Sequence, residues 1–247
     1  MSYMVLPYNF AVTFLAWAYF TLGFVFLHAP FYLVALVRAD SQALFQRYNR
    51  RFFQRFFTLL AALCPSTSWD LDRRVSGIQR AVVLCNHQSY LDPLLLISLL
   101  SRSVTVVKPV FFAVPIFGAV LRKNGYFPAT ASGKYGGLTL ASLEALPGFF
   151  AAGGSLFIFP EGTRNRSGNS LGELQSGALK LALHTARPIV VLGLAGTGQL
   201  FPPGKFLFNA KAENRISLRL LATIEAGRCR NAGELRARLE KIFAETA

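Results

Sequence analysis

The first 37 residues contain no Asp, Glu, Lys or Arg. Their densest apolar part, Phe10–His28, is 19 residues long, about 28 Å as a helix and close to the hydrocarbon thickness of a bilayer. Pro30 predicts a kink or an end to that helix, with Phe31–Val37 continuing the run. The stretch has neither a basic start nor a small-residue cleavage site, so it reads as an anchor rather than a removable signal. From Ser41 to Leu63 the pattern changes. Phe45, Tyr48, Phe52, Phe56, Leu60 and Leu63 recur at three- and four-residue spacing, opposite Arg47, Arg50, Arg51, Gln54 and Arg55. Such a basic amphipathic helix lies in the headgroup plane, or else its stripe packs on the rest of the chain. Because the arginines follow the apolar run, the positive-inside rule expects the C-terminal domain on the cytoplasmic side of an inner membrane.

Beyond Asp70 the period shortens. Apolar, β-branched runs predict buried strands at Ala81–Cys85, Val104–Val107, Ser155–Phe159, Pro188–Leu194 and Ile216–Ile224. Helical patterns fall between and after them, at Pro93–Leu100, Pro115–Lys123, Gly137–Phe150, Gly177–Thr185 and Ala232–Ala247, the last with Asn231 as its N-cap. Strand–helix alternation predicts an α/β fold: a mixed, largely parallel sheet covered by helices, with an N-terminal membrane-associated helical segment. The expected division is an anchor with its amphipathic helix over 1–66 and a domain over 67–247.

Composition narrows the partners. Hydrophobic residues make up 53% of the chain and charged ones 15%, yet the net charge is +14, from 26 basic and 12 acidic side chains. A basic surplus suits nucleic acid or anionic lipid. No nucleic-acid recognition motif accompanies it, and the apolar excess fits lipid alone, so membrane lipids are the expected partner and nucleic acid is not. Three widely spaced cysteines make no disulfide framework, and with three histidines no metal site is visible.

Two strand-to-loop junctions carry chemistry, since sites in such sheets gather at strand C-terminal ends. The first is Asn86-His87-Gln88-Ser89-Tyr90-Leu91-Asp92-Pro93. His87 and Asp92 would stand about 140° apart on a helix, but a turn can bring them together. Asp92 is the sole carboxylate between Arg73 and Leu143. Paired with His87 it would fix the tautomer and stabilise the imidazolium formed when His87 takes a hydroxyl proton. The alternatives are a buried structural histidine and, because Pro follows, an Asp92 that merely N-caps a helix. The second junction is Phe159-Pro160-Glu161-Gly162-Thr163-Arg164-Asn165-Arg166-Ser167-Gly168. Its glycine, hydroxyls and arginines suit a phosphate, or make a solvated basic turn.

A His-x-x-x-x-Asp block followed about seventy residues later by Phe-Pro-Glu-Gly-Thr-Arg resembles the glycerolipid acyltransferase family, lysophospholipid acyltransferases whose best-known members acylate 1-acylglycerol-3-phosphate. The likeness runs from about Ile78 to Leu194. It takes in Lys108 with Pro115-Ile116-Phe117-Gly118, then Gly177-Ala178-Leu179-Lys180 and Arg187-Pro188-Ile189-Val190. The resemblance implies transfer of an acyl group from acyl-CoA or acyl-ACP to a lysophospholipid hydroxyl, with no cofactor beyond that thioester. It makes His87 the general base, Asp92 its orienting partner, and Glu161, Gly162, Thr163 and Arg164 the acceptor-binding block, Arg164 contacting phosphate. Lys108 and Pro188 match further substrate-binding positions, Pro188 in a block linked to the acyl donor. No acyl-enzyme is implied, so the hydroxyl attacks the thioester directly.

One departure bears on the acceptor. The family's second block usually reads Phe-x-x-Arg, and here the residues are Phe127-Pro128-Ala129-Thr130. Arg122, Lys123 or Lys134 would have to substitute, or the acceptor is another lysolipid. A serine hydrolase would use Ser89 or Ser176 with His87 or His184, but neither serine lies in Gly-x-Ser-x-Gly. A non-enzymatic lipid-binding module is the remaining alternative.

Overall fold

A computed structural model describes residues 5–38, 41–130, 132–165 and 170–246. Seven strands form one sheet in the order β1-β7-β6-β2-β5-β3-β4. They are β1 (Thr67–Leu71), β2 (Val82–Cys85), β3 (Ser103–Val107), β4 (Phe127–Pro128), β5 (Ser155–Ile158), β6 (Ile189–Ala195) and β7 (Asn214–Ile224). Among the described residues every pairing is parallel except β6 with β7. The mixed, largely parallel sheet expected from the alternation is therefore present. Strands β2 and β5 are buried along their whole length, as the unbroken apolar runs Val-Val-Leu-Cys and Ser-Leu-Phe-Ile require of central parallel strands.

Helix α4 (Leu91–Leu99) follows β2, α5 (Phe117–Lys123) follows β3, and α6 (Gly136–Ala151) follows β4. Helix α7 (Ser176–His184) leads into β6, α8 (Thr197–Leu200) is a single turn after it, and α9 (Ala232–Thr246) closes the chain. Asn231 caps α9 as expected, its Oδ1 accepting the Glu234 N–H at 3.0 Å. Two strands escaped the sequence reading. The β1 residues Thr-Ser-Trp-Asp-Leu are mostly half-exposed, and β4 is only two residues long, so neither shows a periodic apolar signal.

The N-terminal segment is one helical run, α1 (Val5–Ala18), a stretch of wider turns over Tyr19–His28, and α2 (Ala29–Leu36). Pro30 does not end it. The Ala29 N–H reaches back five residues to the Phe24 carbonyl, and this looser winding accommodates a ring that would clash with the carbonyl four residues back. The run pairs antiparallel with α3 (Ser41–Leu63): the Tyr8 hydroxyl donates to the Leu63 carbonyl and the Tyr19 hydroxyl to that of Phe52. Val12, Ala16, Phe56 and Leu60 belong to the same core as the sheet, while Tyr32, Ala35 and Phe45 form a small cluster at the hairpin's turn end.

This pairing decides between the two readings of α3. Its apolar stripe is not available to lipid, because Phe45, Phe52, Phe56 and Leu60 are buried. Its polar side is divided. Arg50 donates to the Ser98 and Leu99 carbonyls and Gln54 to that of Ser98, satisfying orphan acceptors at the C-terminus of α4. Gln46 does the same for Asn124 at the end of α5. Arg47, Arg51 and Arg55, each four residues apart, remain as the exposed basic stripe.

Helix α1 is also tied to the domain. Asn9 Oδ1 accepts from the Ala210 and Lys211 backbone N–H groups, and Thr13 Oγ1 from Phe208. Trp17 stacks on Phe206 with ring centroids 5.8 Å apart. The outer side stays apolar and exposed through Leu6, Phe10, Phe14, Leu22, Phe26 and Leu33.

Candidate active site

Because β6, β2, β5, β3 and β4 run parallel, the loops after Cys85, Val107, Pro128, Ile158 and Ala195 share one edge of the sheet. The first junction leaves from its centre. Asn86 pins the end of β2 to β6, its Nδ2 donating to the Leu194 carbonyl at 2.8 Å and its Oδ1 accepting the Leu194 N–H at 2.7 Å. The chain then turns sharply, and His87 Nδ1 comes to 2.8 Å from Asp92 Oδ2.

Asp92 is fully buried, and every bond to its carboxylate has a visible donor. Oδ2 also accepts the Gln88 and Ser89 N–H groups, at 2.5 and 2.8 Å, and Oδ1 accepts the Thr197 hydroxyl at 2.5 Å. The sequence left Asp92 open between helix cap and partner of His87, and the geometry gives it a different local role. Tyr90, flanking α4, supplies no side-chain cap. Ser89 Oγ accepts the Leu91 N–H while Asp92, inside the first turn, takes the Ser89 N–H in return, a reciprocal capping arrangement. The same carboxylate holds the imidazole. In a neutral imidazole, an Nδ1–H donated to this carboxylate leaves Nε2 as the accepting nitrogen. The imidazole lies against Phe159, centroids 4.2 Å apart, and its side chain keeps 16% of its surface open.

The second junction is stitched to the first. His87 N–H donates to Glu161 Oε1 at 3.0 Å, and the Asn165 N–H donates to the His87 carbonyl at 2.6 Å. Glu161 is buried, and in this structure its carboxylate braces the His87 turn. Burial holds its carboxyl above the ordinary range, against the lowering pull of the His87 and Gly172 N–H groups. Gly172 is needed there, since a Cβ would stand 2.5 Å from Glu161 Oε2. Gly162 takes φ +65°, a conformation glycine adopts without strain, and Thr163 is exposed beside it. Arg166, Ser167 and Gly168 lie outside the described residues.

Arg164 folds back over the first junction. Its guanidinium carbon stands 3.6 Å from the centroid of the Tyr90 ring, at a cation–π distance. Its Nη1 is buried and, among the described residues, has no hydrogen-bond partner. An imidazole and an arginine whose Nη1 has no partner among the described residues thus meet at one sheet edge. Lys108, exposed, leaves β3 at that edge, and Val107 pairs with Pro128, which sets Lys108 beside Ala129 and Thr130. Pro188 is not brought to the site. It precedes β6 and its carbonyl accepts the Val82 N–H at the start of β2, about 16 Å along the strand from His87. Ser89 is no nucleophile for His87, because its buried hydroxyl donates to the Phe201 carbonyl.

Sequence reasoning missed Asn86 as a strut, Tyr90 as the platform for Arg164, and Thr197. None has a local signal, and Thr197 reaches Asp92 across 105 positions. The described residues hold no cluster of His, Cys, Asp and Glu suited to a metal ion.

A model of the acyltransferase family matches residues 71–194, which include both junctions. The chain is 30% identical over 168 residues to the 1-acyl-sn-glycerol-3-phosphate acyltransferase BAT2, chloroplastic, of Brassica napus, an alignment covering 65% of this chain and 47% of that protein. It is 30% identical over 186 residues to LPAT1, chloroplastic, of Arabidopsis thaliana, which bears the same enzyme name, covering 72% and 51%. The chain thus spans about half the length of these curated relatives. The crystal structure of the 1-acyl-sn-glycerophosphate acyltransferase PlsC from Thermotoga maritima superposes with a TM-score of 0.72 at 18% identity, covering 96% of this chain and 95% of that one. At that identity the likeness speaks for the fold.

Proposed function

Since a family model matches half of its length, the chain belongs to the acyltransferase family, and we propose that it transfers a fatty acyl group from an acyl thioester, acyl-CoA or acyl-ACP, to the free hydroxyl of 1-acylglycerol-3-phosphate, giving phosphatidic acid. The observation that carries this reading is the stitching of the two junctions. The His87–Asp92 pair and Arg164, whose Nη1 has no partner among the described residues, are held one hydrogen bond apart, through Asn165 and the His87 carbonyl. An acceptor bearing a phosphate near its hydroxyl fits that spacing of charge and base.

The chemistry follows from the residues. Nε2 of His87 takes the acceptor proton as the hydroxyl oxygen attacks the thioester carbonyl. Asp92 stabilises the imidazolium and itself stays ionised. Collapse of the tetrahedral intermediate forms the ester, breaks the C–S bond and expels the thiolate, to which the imidazolium returns the proton. No acyl-enzyme and no further cofactor are needed. Arg164 binds the phosphate, with Lys108 as the second cation.

One observation favours a second acceptor class. Thr130 stands where the family's second block carries arginine, and its hydroxyl bonds locally to Ser132, so that edge holds one cation fewer. The test is a panel of lysolipid acceptors with a single acyl-CoA, following thiol release and ester formation together. Thiol released in strict proportion to acceptor acylated, fastest with a phosphate monoester, is the expected result. Equal rates for acceptors with and without the monoester would favour the second class, and thiol release independent of acceptor would overturn acyl transfer.

The hairpin's placement belongs to the same proposal. Val5–Leu27 is long and apolar enough to cross a membrane. Yet its Asn9 and Thr13 side chains accept from domain backbone, and its partner α3 carries Arg47, Arg51 and Arg55 exposed along its length. Charges at mid-bilayer are costly, whereas an apolar outer side beside a basic stripe suits one leaflet. The reading is therefore of a hairpin embedded in the cytoplasmic leaflet of the inner membrane, with the catalytic domain on the cytoplasmic side.

A further inference from the structure

The segment between Lys108 and Arg122 leaves the active edge as a short 3₁₀ turn, Pro109–Ala113, and enters α5 through a tight reversal at Pro115-Ile116-Phe117. Within 109–117 only Phe112 points inward: it is buried, and its ring meets that of Tyr135 at 5.9 Å. Val110, Phe111, Val114, Ile116 and Phe117 are exposed, Ile116 to 74% and Val110 to 64%. Soluble surfaces carry single apolar residues routinely but seldom five within eight positions.

The segment is built rather than loose. The Phe117 N–H donates to the Pro115 carbonyl at 2.6 Å, which closes a three-residue turn, and the Gly118 N–H donates to Val114 at 2.8 Å. Arg122 donates to the Phe112 carbonyl, and Gly118 lies so close to that carbonyl that a Cβ would meet its oxygen at 2.3 Å. Phe111 and Phe117 brace each other edge to face at 6.0 Å. At the apex Ile116 adopts φ +63° and ψ −56°, a strained conformation for a β-branched residue. The fold therefore bears two costs at one position: backbone strain, and an isoleucine held out in water. Neither serves the core, because nothing buries that side chain. Strain of this kind persists where a function holds it.

Charge identifies the occupant. Lys108, Arg122, Lys123 and Lys134 are all exposed around the segment, and no Asp or Glu occurs between Asp92 and Glu144. An apolar tip flanked by four exposed cations is complementary to an anionic bilayer, hydrocarbon receiving the tip and headgroups the cations. We propose that residues 109–117 are a second membrane-inserting element, separate from the N-terminal hairpin, which seats the Lys108 side of the active edge on an anionic leaflet. A lipid acceptor would then reach His87 without crossing water. That benefit rests on the acyltransferase reading, while the insertion itself does not.

The experiment uses the full-length protein with Ile116→Cys, labelled with an environment-sensitive fluorophore. The three native cysteines are buried, and the unlabelled background is checked on wild type. A second labelled variant, Arg238→Cys on the exposed face of α9, is the control. With phosphatidylglycerol vesicles the label at position 116 should shift to the blue and be quenched by lipids carrying a quencher on the acyl chain. The label at 238 should do neither. A label at 116 that stays aqueous while sedimentation shows the protein vesicle-bound overturns the proposal. So does a shift that needs only higher protein concentration, which would mark a contact between copies.

An activity arm uses Ile116→Gly, whose backbone tolerates the positive φ, and Val110→Asp. Turnover of a bilayer-embedded acceptor should fall about tenfold, roughly the loss expected for removing one buried aliphatic side chain. A short-chain monomeric acceptor should be used as well as before. Equal losses on both would mean the segment shapes the site instead. If wild type acylates neither acceptor, the functional reading fails, and the fluorescence arm still decides the insertion.

Discussion

Replacing Asp92 by Asn separates the chemical role of this carboxylate from its structural one. Its two oxygens accept four hydrogen bonds: His87 Nδ1, Gln88 N–H and Ser89 N–H at Oδ2, and the Thr197 hydroxyl at Oδ1. An asparagine can keep its oxygen at the Oδ2 position and turn its NH₂ toward Thr197, whose hydroxyl then rotates to accept. All four contacts survive, and the tautomer of His87 with them. Three donors each give up about 1 kcal/mol of charge assistance, while the neutral amide escapes part of the desolvation cost of a buried carboxylate. The net change in folding stability should stay within about 2 kcal/mol, or roughly 4–8 °C in Tm for a chain of this size. Turnover loses more. An imidazolium and a carboxylate whose charge centres lie about 4 Å apart attract by about 4 kcal/mol at an effective dielectric of about 20. With the proton partly transferred in the transition state, kcat should fall by about 10²–10³, with little change in either KM. Thiol release and thermal melting on the same preparation measure both quantities. A well-folded variant retaining turnover within about threefold of wild type would refute the chemical role and leave Asp92 as a brace of the turn.

Arg164→Ala should raise the acceptor KM at least tenfold and leave the donor KM nearly unchanged, and Arg164→Lys should recover only part, since an ammonium cannot fork to two oxygens or stack on Tyr90 as a guanidinium does; an equal loss with acceptors lacking the phosphate monoester would exclude phosphate binding. The Glu161 carboxyl is raised by burial, so the folded protein binds its proton more tightly than the unfolded chain does. Its contribution to stability is full below about pH 4.5 and declines as pH rises through the raised value. Denaturation of wild type and Glu161→Gln at a series of pH values from 4 to 8 should therefore show the difference in stability moving against wild type as pH rises, and a flat difference would contradict the shift. Changing Arg47, Arg51 and Arg55 to Gln should weaken binding to anionic vesicles at low salt and have little effect at high salt, because each exposed arginine near the surface is worth about 1 kcal/mol and is screened within a Debye length; sedimentation measures it. Arg50→Gln belongs to a different class and should lower Tm instead, since Arg50 satisfies the Ser98 and Leu99 carbonyls.

Much of this protein is local, and what is local was legible. The apolar runs at 81–85, 155–159 and 188–194 are read as strands because a central parallel strand is buried on both faces and tolerates little else. The order of the His-x-x-x-x-Asp and Phe-Pro-Glu-Gly-Thr-Arg blocks, each directly after such a run, places both at strand ends before any sheet is assembled. The +14 charge on a chain rich in Phe points to lipid. Other features depend on which strands and helices become neighbours. β1 exists because it pairs with β7 along Thr67–Leu71 and Asn214–Leu218, and its own residues alternate too weakly to announce it. The arginines of α3 look alike in sequence, yet packing against α4 turns Arg50 into a cap and leaves Arg47, Arg51 and Arg55 outside. Pro188 lies in a matching block, but the direction of β6 carries it to the edge away from His87. Thr197 reaches Asp92 only because β6 lies beside β2, which puts the loop after Ala195 next to the loop after Cys85. Periodicity and turn chemistry act over a few residues and determine elements and their ends. Strand order and direction are settled by burial across the whole chain, and they decide which distant side chains share a hydrogen bond.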